Sequence, residues 1–94
     1  MSDYERSTVL TAREVFAKAD EIFPERAELA RTQQSAHEVT YSGAEGTVSI
    51  DIHRHVFSSL VTVRTDRLRT SKLDIVARYF MNQLPYQPGD PPRV

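Results

Sequence analysis

The chain has 94 residues, of which 39% are hydrophobic and 27% are charged, and its formal net charge is −1 at pH 7. This length predicts one small domain, and this balance is typical of folded rather than disordered proteins. The absence of cysteine excludes disulfides, thiolate metal ligands and cysteine nucleophiles. Because the sequence lacks a signal-peptide pattern and any long apolar stretch, we expect a cytoplasmic protein without a membrane partner.

The charge is distributed unevenly along the chain. Residues 1–45 carry nine acids and five bases, a net charge of −4, whereas residues 46–94 carry four acids and seven bases, a net charge of +3. We expect the two halves to attract each other within the fold or across a homodimer. An overall pI near 6.3 does not favour a nucleic-acid partner.

A short strand and a helix are predicted first. Residues Arg6–Leu10 have the β-branched content of a brief strand, and Thr11 with Glu14 forms a capping-box pattern at a helix start. An apolar stripe at helical spacing follows, made by Val15, Phe16, Ala19, Ile22 and Phe23. Pro24 predicts that the helix is bent or broken there, with one or two further helical turns in residues 24–31.

Residues 35–66 alternate between apolar and polar side chains, which predicts three antiparallel strands. A loop over residues 42–45 would place Tyr41 opposite Gly46. This register puts the apolar residues of the two strands on one face of the sheet and the polar residues on the other.

A second hairpin is predicted with a tight turn at Phe57 and Ser58. That turn places Ile52 opposite Val63. It also places Asp51 opposite Arg64, which predicts a cross-strand ion pair on the polar face.

The last predicted element is a helix that begins at Ser71, with Asp74 in the position of a capping-box acid. Its apolar stripe consists of Leu73, Val76, Ala77, Phe80 and Leu84. Pro85 ends this helix, and residues 85–94 are rich in proline and glycine. We therefore predict a domain over residues 1–84 and an extended tail over residues 85–94.

The predicted order of elements is β-α(α)-β-β-β-α, in the α+β class, with an antiparallel sheet and helices packed on one face. This order, with TAREVFAKADEIFPE after a first strand and LDIVARYFMNQL as closing helix, resembles an abbreviated helix-grip fold of the START and polyketide-cyclase kind. The resemblance rests on topology over most of the chain. It implies a curved sheet around the last helix and an apolar cavity between them for a lipid or other hydrophobic ligand, and it transfers no functional residue.

Two histidines one residue apart, His53 and His55, have a spacing that can hold a metal. On a strand they point to the same side as Asp51, a conceivable third ligand. Three residues in line on one strand surround a metal poorly, and His37 falls on the other face in the predicted register. The interpretation we favour is the polar side of a strand, with no metal and no cofactor.

Arg54 is the unusual residue of its strand, because it occupies the apolar row that includes Ile50 and Ile52. An unpaired charge in that row would be costly to bury. In one interpretation Arg54 lies near the strand end and its side chain reaches water. In the other it binds a small-molecule carboxylate or phosphate between the sheet and the last helix, with His37 as a second lining residue.

A group of basic and hydroxyl residues surrounds the predicted start of the last helix. Arg67, Arg69, Ser71 and Lys72 together form an anion site in principle. The alternative is a basic loop paired with the acidic first helical region, and it is the one we favour because no glycine-rich phosphate loop is present.

No recognisable set of catalytic residues is present, so the sequence does not favour an enzyme. The first hypothesis for function is a small non-enzymatic module that binds partners or self-associates as a homodimer. The alternative is a helix-grip type binder of, or enzyme on, a small hydrophobic or anionic ligand between the sheet and the C-terminal helix.

Overall fold

The computed structural model describes residues 2–54 and 58–85. The elements follow in the order β1 (Ser2–Thr8), α1 (Ala12–Ala27), β2 (Ala30–Gln34), β3 (Glu38–Gly43), β4 (Gly46–Arg54), β5 (Ser59–Thr65) and α2 (Lys72–Asn82). The five strands form one antiparallel sheet in the order β1-β5-β4-β3-β2, and both helices pack against it and against each other. The predicted α+β class with an antiparallel sheet is confirmed. Most of the predicted tail, from residue 86 onward, lies outside the described residues.

Strand β1 begins and ends earlier than predicted. The residues of β1 that face the helices are Tyr4, Arg6 and Thr8, of which Arg6 and Thr8 are buried. Because these inward positions are not an apolar row, the alternation that marks a half-buried strand is missing from the sequence. Pairing with β5 along the full length of β1 defines the strand instead.

The capping box that begins α1 is confirmed. The Thr11 amide donates to Glu14 Oε1 at 2.9 Å, and the Glu14 amide donates to Thr11 Oγ1 at 3.2 Å. The helix then continues through Pro24 to Ala27, so the predicted break is wrong. Pro24 lies three residues before the last helical residue, and its missing amide costs a single intrahelical hydrogen bond, which the helix tolerates.

Of the further helical turns predicted in residues 24–31, only the first, over residues 24–27, is present. Glu28 adopts the left-handed conformation, with φ at 55°, and ends α1. The next residues form strand β2, which pairs with β3. Alanine, arginine and glutamine favour helices, but hydrogen bonding to a neighbouring strand outweighs this weak local preference.

Both hairpin registers are displaced by two residues from the predicted ones. Gly43 faces Gly46 across a two-residue turn, and Tyr41 faces Val48 instead of Gly46. A displacement of two residues keeps every side chain on its face, because side chains alternate with a period of two. The predicted apolar face is therefore correct, although the predicted pairs are not.

The ion pair predicted between Asp51 and Arg64 is wrong for the same reason. Asp51 faces Thr62, and Arg64 lies opposite Ser49. Arg64 is instead adjacent to β1, where its Nε lies 3.9 Å from Asp3 Oδ1. The predicted turn at Phe57 falls outside the part of the chain that is described.

Aromatic side chains fill the space between the helices and the sheet. Phe23 of α1 stacks on Tyr41 of β3 with ring centroids 5.5 Å apart, and it contacts Phe80 of α2 at 5.4 Å. All three residues are fully buried. The apolar stripe predicted for α2 is buried as well, which confirms the orientation of that helix.

Two polar side chains, one on α2 and one on β1, join α2 to the sheet. Asp74 is fully buried and accepts hydrogen bonds from Tyr4 Oη at 2.6 Å and from Thr65 Oγ1, so it links α2 to β1 and β5. Arg6 donates to the Met81 carbonyl at the C-terminal end of α2 at 2.6 Å. The last turn of α2 contains no basic residue of its own, so β1 supplies the cation there.

Candidate functional site

A groove of about 420 Å³ lies between α1 and the edge strand β2. It is lined by Ala12, Arg13, Phe16, Ala17 and Asp20 of α1 and by Arg31, Gln34, Ser35 and Ala36 of β2 and the loop that follows. All five residues of β2 are exposed, and among the strands that the structure describes β2 pairs with β3 alone. Its other side presents backbone groups that a further strand can pair with.

The groove is open because the sheet ends beneath α1. This helix packs on β2 and β3, and the residues of β2 on the helix side are Arg31 and Gln34. Neither supplies an apolar surface for the adjacent flank of α1. On that flank Phe16 is only partly buried and Ala17 is exposed. An apolar flank of α1 therefore faces a position beyond the last strand of the sheet.

Three polar residues hold α1 in place over this edge. Asp20 of α1 accepts hydrogen bonds from the hydroxyl of Tyr41 and from the guanidinium of Arg31. Arg31 also donates to Gln34 Oε1 on the same strand. The carboxylate thus connects α1 with both β2 and β3, and it fixes the helix relative to the edge of the sheet.

The same contacts change the acidity of two of these groups. Burial, together with the hydrogen bond to Asp20, raises the pKa of the Tyr41 phenol well above its usual value. Donation to Asp20 raises the pKa of the Arg31 guanidinium. At neutral pH the tyrosine is therefore neutral and the arginine charged, and neither group is poised for proton transfer.

The charged residues of the groove differ in how well they are paired. Asp20 is paired with Arg31, yet 46% of its side chain is exposed. Arg13 forms no ion pair with any other residue in the described ranges 2–54 and 58–85. The exposed Arg13 and the half-exposed Asp20 thus lie about two helical turns apart on the same flank of α1.

The structure places Arg54 and His37 at the surface. Arg54 is exposed at the end of β4, and its Nη1 donates to Ser59 Oγ at 3.0 Å. His37 is exposed in the loop between β2 and β3, where its carbonyl accepts from the Ile52 amide at 2.8 Å. Neither side chain is buried between the sheet and α2, and their role in ligand binding stays a prediction.

The basic residues near the start of α2 are exposed, and several contact acidic or carbonyl oxygens. Arg67 Nε lies 3.1 Å from the Glu45 carbonyl and 3.6 Å from Asp66 Oδ1. Lys72 Nζ lies 3.9 Å from Glu45 Oε2, and the Arg69 guanidinium lies 5.8 Å from the ring of Tyr4. The acidic partners described here are Glu45 and Asp66, which lie outside the first helical region, so the predicted pairing of this basic loop with that region is not seen in these contacts. Anion binding stays a prediction.

Ser71 has a structural role in this region, because its Oγ accepts the Asp74 amide at 3.2 Å and caps α2.

The histidine motif lies on the polar face of the sheet as far as it is described. His53 is exposed, and its Nε2 lies 3.4 Å from Asp51 Oδ2. His55 lies outside the described residues. Among the residues that the structure does describe, no group of three potential ligands is placed to hold a metal ion.

Comparison with protein families and with curated proteins finds no match for this chain. In the described part of the chain, neither helix has the length and apolar character needed to cross a membrane.

Apart from Phe16, which was predicted in the apolar stripe of α1, the residues that form the groove were not singled out by the sequence patterns. Asp20 and Tyr41 are 21 residues apart, and only the folded sheet brings them together. One sequence signal for the groove was present in α1. Ala12, Phe16 and Ala17 lie beside the fully buried residues and form a second, partly exposed apolar stripe. The groove itself depends on β2, which local sequence preference assigned to a helix.

Proposed function

We propose that this chain is a small, non-enzymatic binding module that works in the cytoplasm by self-association, and that two copies pair through α1 and the edge strand β2. The observation that supports this proposal is the open edge of β2 beneath a partly apolar flank of α1. A strand added to β2 would extend the sheet under that flank and cover Phe16. Strand addition at an open edge is a common mode of protein recognition.

A second copy fits the geometry of this edge. Neighbouring strands are ~4.8 Å apart, and α1 lies over β2 and β3. If two β2 strands pair about a two-fold axis, each α1 lies ~4.8 Å from that axis and the two helices are ~9.6 Å apart. Packed helices have interaxial distances of ~8–10 Å, so α1 would contact its copy without a gap or a clash.

The composition of the interface is also compatible with a dimer. The exposed Ala17 and the partly exposed Ala12 permit a close approach of the two helices, with Phe16 between them. A net charge of −1 per chain produces little repulsion between copies. The sheet contribution alone would be short, because a bulge interrupts β2 between Arg31 and Gln33. Contact between the helices is therefore required.

The alternative function, a small-molecule binder of the helix-grip kind, is not proposed. The aromatic residues between the sheet and α2 are in direct contact with one another and fully buried. Arg54 and His37, the two residues predicted to line a cavity, are exposed. No observation in the described residues favours a ligand there over packed side chains.

Sedimentation velocity tests the proposal, with the wild-type chain at ~1 μM to ~200 μM, a range that brackets modest protein–protein affinities. We expect a reversible monomer–dimer equilibrium. Ala17→Glu places a charge at the centre of the helix contact and should abolish the dimer. Ala44→Glu introduces the same side chain at an exposed position of the β3–β4 turn and should leave the dimer intact.

Three results would overturn the proposal. One is a wild-type chain that stays monomeric over the whole concentration range. That result would assign the open edge of β2 to an extended segment of another protein instead of a second copy. Another is an Ala17→Glu variant that dimerises as tightly as the wild type. A third is amide hydrogen exchange in β2 that is no slower in the dimer than in the monomeric variant, since a paired edge protects its amides.

A further inference from the structure

An ordered pattern of charges lies along the flank of α1 that faces the groove. Arg13 is at the N-terminal end of this flank, Asp20 is at the C-terminal end, and Phe16 and Ala17 lie between them. In the proposed pairing of β2 with its copy the two-fold axis is perpendicular to the sheet. The two α1 helices therefore run antiparallel, and each N-terminal end lies beside the partner's C-terminal end. From this pattern we infer that Arg13 of each subunit pairs with the partner subunit's Asp20. This inference rests on the proposed dimer.

Both groups are available for such a contact. Arg13 is exposed and has no ion-pair partner within the described part of its own chain. Asp20 already accepts from Tyr41 through Oδ1 and from Arg31 through Oδ2. A carboxylate has about four acceptor positions, so two remain, and almost half of the Asp20 side chain is exposed. The aspartate is also held in place by its two internal donors, which favours a defined contact geometry.

These pairs would fix the direction of association. Antiparallel helices bring two opposite-charge contacts together, one on each side of the two-fold axis. A parallel arrangement would place Arg13 beside its own copy and Asp20 beside its own copy, which is repulsive at both ends. The charge pattern therefore selects the antiparallel arrangement of the two helices over the parallel one, and it makes the dimer sensitive to ionic strength.

Charge reversal at position 13 tests this inference. In Arg13→Glu both attractive contacts become repulsive, and we expect the dimer dissociation constant to rise by ~10-fold to ~100-fold at low salt. Raising NaCl from ~50 mM to ~500 mM should weaken the wild-type dimer and strengthen the variant dimer, because salt screens attraction and repulsion alike. Arg13→Gln should lie between the two and depend least on salt.

The control is Arg64→Glu, which changes the net charge equally but lies on the polar sheet face, away from α1. It should leave the dissociation constant within a few-fold of wild type. Circular dichroism of Arg13→Glu checks that the monomer is folded, as expected for an exposed residue without a described ion pair.

The outcomes separate this inference from the proposal that it rests on. A wild-type dimer whose affinity is unchanged by Arg13→Glu, or whose salt dependence has the same sign as that of the variant, refutes the charge pairing and leaves the dimer standing. A wild-type chain that never dimerises refutes both.

Discussion

Replacing Arg6 by methionine should destabilise the fold strongly, although arginines are usually tolerant surface residues. Arg6 is only 8% exposed and lies on the helix-facing side of β1. Its Nη1 donates to the Met81 carbonyl at 2.6 Å and to the Leu84 carbonyl at 3.3 Å, and Nη2 lies 3.4 Å from Asn82 Oδ1. Methionine retains most of the apolar stem, so the substitution removes mainly the charged donor.

The magnitude follows from these contacts. The short bond from a charged donor to Met81 contributes ~1.5–3 kcal/mol, and the two longer contacts contribute less. A cation at a partly buried helix C-terminus adds up to ~1 kcal/mol. We therefore expect Arg6→Met to lower the free energy of unfolding by ~2–4 kcal/mol, which corresponds to a fall in Tm of ~10–20 °C for a chain of this size.

Urea unfolding followed by circular dichroism measures this loss, at one fixed protein concentration because association adds to apparent stability. Arg6→Lys keeps the charge but has a single donor head and should lose less. Arg64→Met is the matched control, since Arg64 is exposed on β5 with only a 3.9 Å contact to Asp3. We expect that control to change stability by at most ~1 kcal/mol. An Arg6→Met variant within ~0.5 kcal/mol of wild type would refute the capping role.

Two further substitutions test other parts of the structure. Tyr41→Phe keeps the buried ring but removes the hydroxyl that donates to Asp20, and should cost ~1 kcal/mol at pH 7. Because folding raises the pKa of Tyr41, the neutral phenol is favoured in the folded state; wild-type stability should therefore fall as the pH rises above ~10, the unfolded-state value. Chemical denaturation at pH 7 and pH 11 checks this, and an equal alkaline loss in the variant would assign the effect to another group. Gly46→Ala should destabilise by ~1–3 kcal/mol, because Gly46 has φ at 129° and an added Cβ would lie 2.6 Å from Arg67 Nε and from Asp66 Oδ1. Thermal unfolding of Gly46→Ala no different from wild type would contradict that backbone geometry.

The sequence predicted the elements whose apolar pattern is directed at the core. The stripe of α2 and the alternating residues of β3, β4 and β5 are buried on the predicted faces. The registers of the hairpins were displaced by two because alternation specifies only which face a residue occupies. Turn geometry decides between registers that share a face, and the Gly43–Gly46 pair closes the first hairpin around two residues instead of four.

The strand that was missed, β2, and the strand that was misplaced, β1, are those whose inward residues are polar. β1 places Arg6 and Thr8 toward the helices, and β2 places Arg31 and Gln34 there, so neither strand shows apolar alternation. The two arginines are stabilised by partners distant in sequence, Met81 for Arg6 and Asp20 for Arg31. Local patterns contain no information about such partners. The unusual position of Arg54 was visible in the sequence, because it interrupts an apolar row, and the structure places it at an exposed strand end.

The two edges of the sheet differ in how readily they pair with a copy of themselves. When two copies of β1 pair about a two-fold axis centred on Glu5, Glu5 lies opposite its own copy. An axis centred on Tyr4 places Asp3 opposite Glu5. An axis centred on Arg6 places two arginines opposite each other. Like charges directly opposite each other destabilise a strand pair, so β1 is protected against self-pairing in each of these registers.

The edge at β2 lacks this protection. Arg31 is the one charged residue of β2, and it is already turned onto Asp20. A pairing of β2 with its own copy therefore brings like charges together only when it is centred on Arg31. The charges that usually defend an open edge are thus placed on β1, whereas β2 retains exposed polar residues beneath a partly apolar helix flank. This asymmetry is why self-association is assigned to β2, and it predicts that Arg13→Glu, but not the equal charge change at Arg64, weakens the dimer.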